Sequence, residues 1–151
     1  MPSMGMQEWI AAGRAIAQGH LTRHGREARF TNAFEHRLAE MTGARHALAV
    51  SSGTAALISA LVGAGIGPGD EVLVPAYTWM ATAAAVVIVG AVPIFVDIDE
   101  TLTIDPHDIE RKITPYTRAI MPVHMGNAPC DMDSVMAIAA RRGLVVIEDA
   151  C

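Results

Sequence analysis

Residues 46–62, with the sequence HALAVSSGTAALISALV, contain the change of pattern that decides the fold. Residues 46–50 are a short apolar run that ends at Ser51-Ser52-Gly53, which is typical of a buried strand. Residues 54–62 are predicted to form a helix directly after this turn. A strand, a polar turn and a helix in this order form the unit from which parallel α/β sheets are built.

The same alternation continues through the rest of the sequence. Further strands are predicted at four apolar runs, namely 71–74, 92–96, 119–124 and 144–147. Helices are predicted at 7–18, from Thr31 or Asn32 to Gly43, at 78–89, from Asp105-Pro106 onward, and from Asp131 or Asp133 to residue 140. The first of these has an apolar side of Trp9, Ile10 and Ile16, and the second an inner face of Phe34, Leu38 and Met41. Because strands and helices alternate, we predict an α/β fold whose mainly parallel sheet is flanked by helices.

The composition fits such a sheet and disfavours several classes of protein. Of the 151 residues 52% are hydrophobic and 18% are charged, and the net charge is −5 without a basic stripe, so nucleic acid is not an expected partner. Cys130 and Cys151 lack metal-type spacing and are too few for a disulfide framework, which favours a reduced cytosolic setting. The first 20 residues lack a basic start followed by an apolar core, so no signal peptide is expected.

One uncharged stretch, residues 79–96, approaches the length of a membrane span, for which roughly 20 apolar residues are needed. Gly90 and Pro93 divide it. We therefore interpret the stretch as a helix, a turn and a strand, and no membrane is expected as a partner.

Ligands of parallel α/β sheets bind at the carboxyl ends of the strands. That rule selects the residues that follow the predicted strands, namely 51–54, 75–79, Asp97, His124 and Asp149. At 51–54 the first turn of a helix offers free backbone N–H groups and the positive end of the helix dipole. Gly53 lets a ligand approach the backbone, and the hydroxyls of Ser52 and Thr54 add donors. This is a candidate phosphate site, although the same residues are equally typical of an ordinary helix N-cap.

Asp149 and Trp79 are the other candidate ligand-binding residues. Asp149 follows a buried apolar run, where a carboxylate is costly without a partner. A cationic ring nitrogen would be a suitable partner, and a helix cap or a surface carboxylate is the alternative. Trp79 could stack on a planar ligand or belong to the core or an interface, and Tyr77 is a weaker candidate for stacking. Glu148 is expected to be solvated or salt-bridged.

The glycine run at 63–69 has the wrong order of elements for a dinucleotide-binding loop. It leaves a helix and enters a strand, whereas the fingerprint leaves a strand and enters a helix. We interpret it as a helix C-cap and a turn. Lys112 is the only lysine, and because it lies in a charged helical stretch it is expected to be exposed rather than a Schiff-base nucleophile.

Two groups of residues contain potential metal ligands. His20 and His24 are four residues apart, and His124 is followed by Cys130 and Asp131. Neither group has a complete ligand pattern, so no metal is expected.

Seven short motifs occur in an order that is similar to a known family. They are Ser51-Ser52-Gly53-Thr54-Ala55-Ala56-Leu57, Gly67-Pro68-Gly69-Asp70-Glu71-Val72, Pro75-Ala76-Tyr77-Thr78-Trp79, Thr114-Pro115, Pro122-Val123-His124, Asp131-Met132-Asp133 and Ile147-Glu148-Asp149-Ala150. From about residue 34 to residue 151 the sequence resembles the DegT/DnrJ/EryC1/StrS family of sugar aminotransferases, which depend on pyridoxal 5'-phosphate. Each motif alone is modest evidence, but seven in the right order make a strong match.

The resemblance implies a fold type I enzyme that works as a homodimer, and the cysteine content places it in the cytoplasm as an expectation. Residues 1–30 would be an N-terminal helix and loop arm, and residues 31–151 the first part of the large cofactor-binding domain, without its remainder or the small C-terminal domain. It implies that Gly53 and Thr54, together with Ser52, bind the cofactor phosphate. Trp79 would stack on the pyridine ring, and Asp149 would hold the ring nitrogen protonated.

The family's catalytic lysine lies further along the chain than residue 151. The resemblance implies transfer of an amino group from an amino acid, glutamate or glutamine, to a nucleotide-linked keto-sugar or a keto-cyclitol. Two alternatives remain open. Some relatives are sugar dehydratases in which histidine replaces the lysine, and a chain of this length could also be a non-catalytic cofactor-binding or assembly protein.

Overall fold

A computed structural model describes residues 4–19 and 28–150. The chain divides into two compact units, residues 1–49 and 50–151, which are described separately. The first unit contains two helices, and the second contains a parallel sheet with helices on both faces. The predicted α/β class is therefore confirmed. His20 and His24 lie outside the described residues.

The helices of the first unit are α1 (Met6–Ala17) and α2 (Arg29–Thr42). Gly43 ends α2 with a left-handed φ of 70°, as its sequence predicts. The predicted cap at Thr31 or Asn32 is wrong, because the helix begins about one turn earlier. The Asn32 N–H donates to the carbonyl of Ala28, so both candidate cap residues already lie inside the first turn.

The predicted inner face of α2 is not buried. Phe34, Leu38 and Met41 are between 37% and 77% exposed, and neither α1 nor α2 has a buried residue. The apolar side of α1 is also open, with Trp9 74% exposed. An amphipathic pattern shows which face a helix can bury, but the face becomes buried only where another apolar surface covers it.

The strand predicted at residues 46–50 is also wrong. The segment is irregular, and no strand of the described chain pairs with it. Instead, the Ala49 N–H donates to Glu35 Oε1 at 2.8 Å. An apolar run becomes a strand only where a neighbouring backbone completes its ladder, and the sequence pattern does not reveal that neighbour.

The sheet of the second unit has four parallel strands in the order β2-β1-β3-β4. They are β1 (Glu71–Pro75), β2 (Val92–Val96), β3 (Thr117–Ile120) and β4 (Val145–Val146). The strands predicted at 71–74 and 92–96 are confirmed, and the two later strands are shorter than predicted. Beyond them a separate parallel bridge between Val123 and Asp149 continues the pairing toward the carboxyl end of the sheet.

Helices cover both faces of this sheet. They are α3 (Gly53–Gly63), α4 (Met80–Ile88), α5 (Pro106–Lys112) and α6 (Met132–Arg142), with a short 3-10 turn at Met125–Asn127. One apolar layer packs α3 and α4 against Val72, Val74, Met121 and Ile147, and the other packs α5 and α6 against Leu73, Val96 and Ile120. The side chains of a strand alternate between the faces, so Val72 and Leu73 enter different layers.

The remaining local predictions are confirmed where the structure describes them. Asp105 caps α5 by accepting from the His107 N–H, and Asp131 caps α6 by accepting from the Ser134 N–H. The glycine run leaves α3 and leads into β1. Residues 79–96 form α4, a turn at Gly90 and β2, and none of the described helices is long and apolar enough to cross a membrane.

Candidate active site

A pocket of about 180 Å³ lies at the carboxyl end of the sheet. It brings together residues from three separate stretches of the second unit. Its lining consists of Gly53, Thr54, Leu57, Trp79, Ala81 and Asp149. Four of the five site residues that the sequence predicts therefore share one pocket, and Ser52 lies immediately beside it in the chain.

The first turn of α3 presents hydrogen-bond donors to this pocket. Ser52 is the N-cap residue, and its Oγ accepts from the Ala55 N–H at 3.1 Å. The Ser52 carbonyl accepts from the Ala56 N–H at 3.0 Å. Within the described part of the chain, the N–H groups of Gly53 and Thr54 have no acceptor. The turn thus combines both functions that its sequence suggests, a helix cap and a set of free donors that suits a phosphate.

Asp149 supplies the opposite chemistry, a buried carboxylate. The residue is only 6% exposed. Its N–H donates to the Pro122 carbonyl at 2.9 Å, and its carbonyl accepts from the His124 N–H at 3.1 Å. Ile147, two residues earlier, packs in the layer with α3 and α4. Alternation along the chain therefore directs Asp149 to that same face, where the pocket lies.

Thr82 is the residue of this site that the sequence analysis did not identify. It lies in the first turn of α4 and is fully buried. Its hydroxyl donates to Asp149 Oδ2 at 2.8 Å. The signal in the sequence is the spacing of Thr78 and Thr82, because residues four apart share one helix face, but that signal does not reveal the distant carboxylate.

Trp79 is the N-cap residue of α4 and is 76% exposed. An indole that lines a pocket and is otherwise open can stack on a planar ligand. Tyr77 is also exposed but does not line the pocket.

His124 lies next to Asp149 but has other partners. Its Nδ1 accepts from the Cys130 N–H at 3.2 Å, so that nitrogen carries no proton in this arrangement. Its Nε2 lies 3.0 Å from Glu148 Oε2 and donates to it, so Glu148 has a hydrogen-bond partner here. Burial raises the pKa of the Cys130 thiol, which donates to the Val123 carbonyl. No group of residues in the described chain has the arrangement of a metal site.

Asp97 is at the carboxyl end of β2 but does not line the pocket. Its backbone N–H donates to Asp108 Oδ2 at 2.8 Å on the side of the sheet that α5 covers. The rule that ligands bind at strand ends therefore selects more residues than the site uses.

Comparisons with known proteins show which family the chain is similar to. The model of the DegT/DnrJ/EryC1/StrS aminotransferase family matches residues 4–151. The spore coat polysaccharide biosynthesis protein SpsC of Bacillus subtilis is 44% identical over 151 residues, which covers 99% of this chain and 38% of that protein.

Two solved structures are similar over almost the whole chain. 3-Amino-5-hydroxybenzoic acid synthase has a TM-score of 0.92 and 41% identity, and the match covers 99% of this chain and 38% of the synthase. NtdA from Bacillus subtilis, solved with the bound cofactor PMP, has a TM-score of 0.88 and 41% identity, with coverage of 95% and 32%. The predicted fold, part of the large domain of a fold type I enzyme, is confirmed by these matches.

The sequence thus spans less than two fifths of each of these three proteins. The family model nevertheless matches nearly the whole length of this chain. The chain belongs to the DegT/DnrJ/EryC1/StrS aminotransferase family.

Proposed function

We propose that this chain is the cofactor-binding segment of an enzyme that uses pyridoxal 5'-phosphate. The enzyme transfers an amino group from glutamate or glutamine to a nucleotide-linked keto-sugar or a keto-cyclitol. One observation carries the proposal: a single pocket combines the free N–H groups of Gly53 and Thr54 with the buried carboxylate of Asp149. A phosphate and a protonated ring nitrogen are the two ends of the cofactor, and they need these two kinds of partner.

Each residue has a role that follows from its contacts. The N–H groups of Gly53 and Thr54 bind the phosphate at the positive end of α3, while Ser52 keeps that turn in shape as its cap. Trp79 stacks on the ring. Asp149 holds a proton at the ring nitrogen, and the bound cofactor then supplies an electron sink for substrate chemistry.

The lysine that binds the cofactor covalently comes from outside these 151 residues. Lys112 is the only lysine of the sequence. It is exposed at the end of α5 and does not line the pocket. We also propose that the complete enzyme is a homodimer, as the family resemblance implies, and that it is cytoplasmic, as the cysteine content favours.

Spectroscopy of the complete protein tests the proposal. Addition of pyridoxal phosphate should give a visible absorption band, which glutamate or glutamine should bleach. Thr54→Val, which removes one hydroxyl from the phosphate end, should weaken cofactor binding about tenfold, in the range expected for loss of a hydrogen bond to a charged group. Tyr77→Phe, a change in an exposed side chain outside the pocket, is the matched control and should bind normally.

Two results would contradict this assignment. A complete protein that shows no band with pyridoxal phosphate would exclude the proposed cofactor. A band that no amino acid bleaches, combined with loss of water from a keto-sugar, would instead identify the family's dehydratase reaction.

A further inference from the structure

We infer that Thr82 is a positioning residue that fixes the carboxylate of Asp149 for the cofactor ring, and that Thr78 in turn orients Thr82. This inference rests on the proposed function of the pocket. It concerns two hydroxyl groups that do not line the pocket. The hydroxyls of Thr78 and Thr82 contact each other, and that of Thr82 also contacts Asp149.

The hydrogen bonds among Thr78, Thr82 and Asp149 form a series in which the donor of each bond can be assigned. Thr82 Oγ1 donates to Asp149 Oδ2 at 2.8 Å, because an ionised carboxylate can only accept. A hydroxyl has a single proton, so Thr82 has none left for its second contact, the 2.9 Å approach of Thr78 Oγ1. Thr78 must therefore donate to Thr82, and the series of hydrogen bonds runs from Thr78 through Thr82 to Asp149.

The hydrogen bond from Thr82 occupies one carboxylate oxygen of Asp149, and the other carboxylate oxygen is available. Within the described residues, Oδ1 receives no hydrogen bond, although Asp149 is 94% buried and lines the pocket. Burial of an unpaired carboxylate oxygen is costly. Since Thr82 holds Oδ2 and the backbone bridge at Val123 holds the main chain, Oδ1 is the acceptor that remains for a ligand.

The same segment also carries the stacking residue. Trp79 lies between Thr78 and Thr82, and its carbonyl accepts from the Thr82 N–H at 3.1 Å. The five residues 78–82 thus carry both the indole of Trp79 and the hydroxyl that bonds Asp149.

Matched variants of the complete protein separate the hydroxyl from the shape of the side chain. Thr82→Val keeps the branched shape but removes the hydroxyl, whereas Thr82→Ser keeps the hydroxyl. We expect Thr82→Val to weaken binding of pyridoxal phosphate about tenfold, the effect of a lost hydrogen bond to a charged group, and Thr82→Ser to bind within about twofold of the parent protein. Thr78→Val, one step further from the carboxylate, should change binding about threefold.

A second readout follows the ring nitrogen directly. With ¹⁵N-labelled pyridoxal phosphate bound, NMR records the pH at which that nitrogen loses its proton. In Thr82→Val the proton should be lost at a lower pH than in the parent protein, and Thr82→Ser should restore the parent profile. A side chain that only fills space would not separate serine from valine in this way.

The outcomes distinguish this inference from the proposed function. If the parent protein does not bind pyridoxal phosphate, the proposed function fails. If the parent binds and Thr82→Val matches it in affinity and in the ring-nitrogen titration, the role of Thr82 is excluded while the proposed function stands. If Thr82→Val does not fold, Thr78→Val decides, since it removes the hydroxyl that we infer orients Thr82; an unchanged affinity and an unchanged titration in that folded variant would overturn the inference.

Discussion

Asp149 and Asp108 are two buried carboxylates on opposite faces of the same sheet. Asp149 faces the layer of α3 and α4 and is 6% exposed, and Asp108 lies on α5 and is 2% exposed. Both residues need compensation for burial. They differ in how much of that compensation the protein itself supplies.

Asp108 is fully satisfied by its neighbours. Its Oδ2 accepts from the Asp97 N–H at 2.8 Å, and its Oδ1 accepts from Arg111 Nε at 3.0 Å and lies 2.8 Å from a second Arg111 nitrogen. Burial acts to raise the pKa of Asp108, but the Asp97 hydrogen bond and the Arg111 guanidinium outweigh it and hold that pKa below its usual value of 3.8. Asp108 therefore links α5 to the end of β2 and serves stability.

Asp149 is satisfied at one oxygen only. Thr82 bonds Oδ2, and no described residue bonds Oδ1. The side chain also lines a pocket, which Asp108 does not. The comparison teaches that burial alone does not identify a functional carboxylate. We propose a ligand for the carboxylate that has a vacant acceptor beside a pocket, whereas the carboxylate whose acceptors are all used serves the fold.

The largest effect is expected for Asp149→Asn in the complete protein. The amide keeps the size of the side chain and can still accept from Thr82, so the protein should fold. It cannot hold a proton at a ring nitrogen as a carboxylate does, so transamination should fall by about 100-fold or more, the scale of losing one key electrostatic contact. Steady-state rates and the thermal midpoint measure the two effects. Near-normal turnover would remove the distinction between the carboxylates.

Asp108→Asn should show the opposite profile. The substitution removes the charge that pairs with Arg111 and should lower the free energy of unfolding by about 1–2 kcal/mol, as expected for a hydrogen bond to a charged group. Binding of pyridoxal phosphate should stay within about twofold of the parent protein, because Asp108 does not line the pocket. Urea unfolding and a cofactor titration check both statements, and a variant that is stable but binds poorly would reverse the assignment.

The penalty of Asp108→Asn should also depend on pH. The pKa of Asp108 is lower in the folded protein than its usual 3.8, so folding stabilises the ionised form. That stabilisation is complete above about pH 5 and is lost as the pH falls through the folded pKa. The difference in stability between parent and variant should therefore be constant from pH 7 to 5 and shrink toward pH 3. A difference that does not shrink at all as the pH falls below 3.8 would mean that packing, rather than charge, causes it.

The sequence identifies Asp149 as a candidate ligand-binding residue, but it does not predict that Asp108 is buried. The difference has a physical reason. Asp149 stands out because it follows an apolar run, and the strands at 71–74 and 92–96 were predicted by the same kind of local pattern. Asp108 lies in a charged helical stretch, and nothing local shows that it turns inward to the Asp97 N–H. A contact of this kind is not recognisable from the local sequence, because its partners are distant in the chain or because the buried residue lies among polar residues.

The same limit explains the other errors. Thr82 acquires its role from Asp149, 67 positions away, and the run 46–50 is not a strand because no described strand lies beside it. Local chemistry predicted the caps at Asp105 and Asp131 correctly, since the cap carboxylate and the N–H that donates to it are neighbours in sequence. Prediction from sequence is therefore strongest where both partners of an interaction lie within one turn.

Arg111→Gln should have the smallest effect and shows how Asp108 is held. The guanidinium is 66% exposed, so solvent screens its charge, and the Asp97 N–H still bonds the carboxylate when Arg111 is removed. The decrease in thermal midpoint should be about half that of Asp108→Asn or less, and it should also shrink as the pH falls through the folded pKa of Asp108, which lies below 3.8. Arg118→Gln is the matched control, since Arg118 is 55% exposed and lies 3.5 Å from Asp70 at the surface. If Arg111→Gln equalled Asp108→Asn, the ion pair rather than the backbone hydrogen bond would dominate, and Asp108 would depend on a single side-chain partner, as we infer for Asp149 and Thr82.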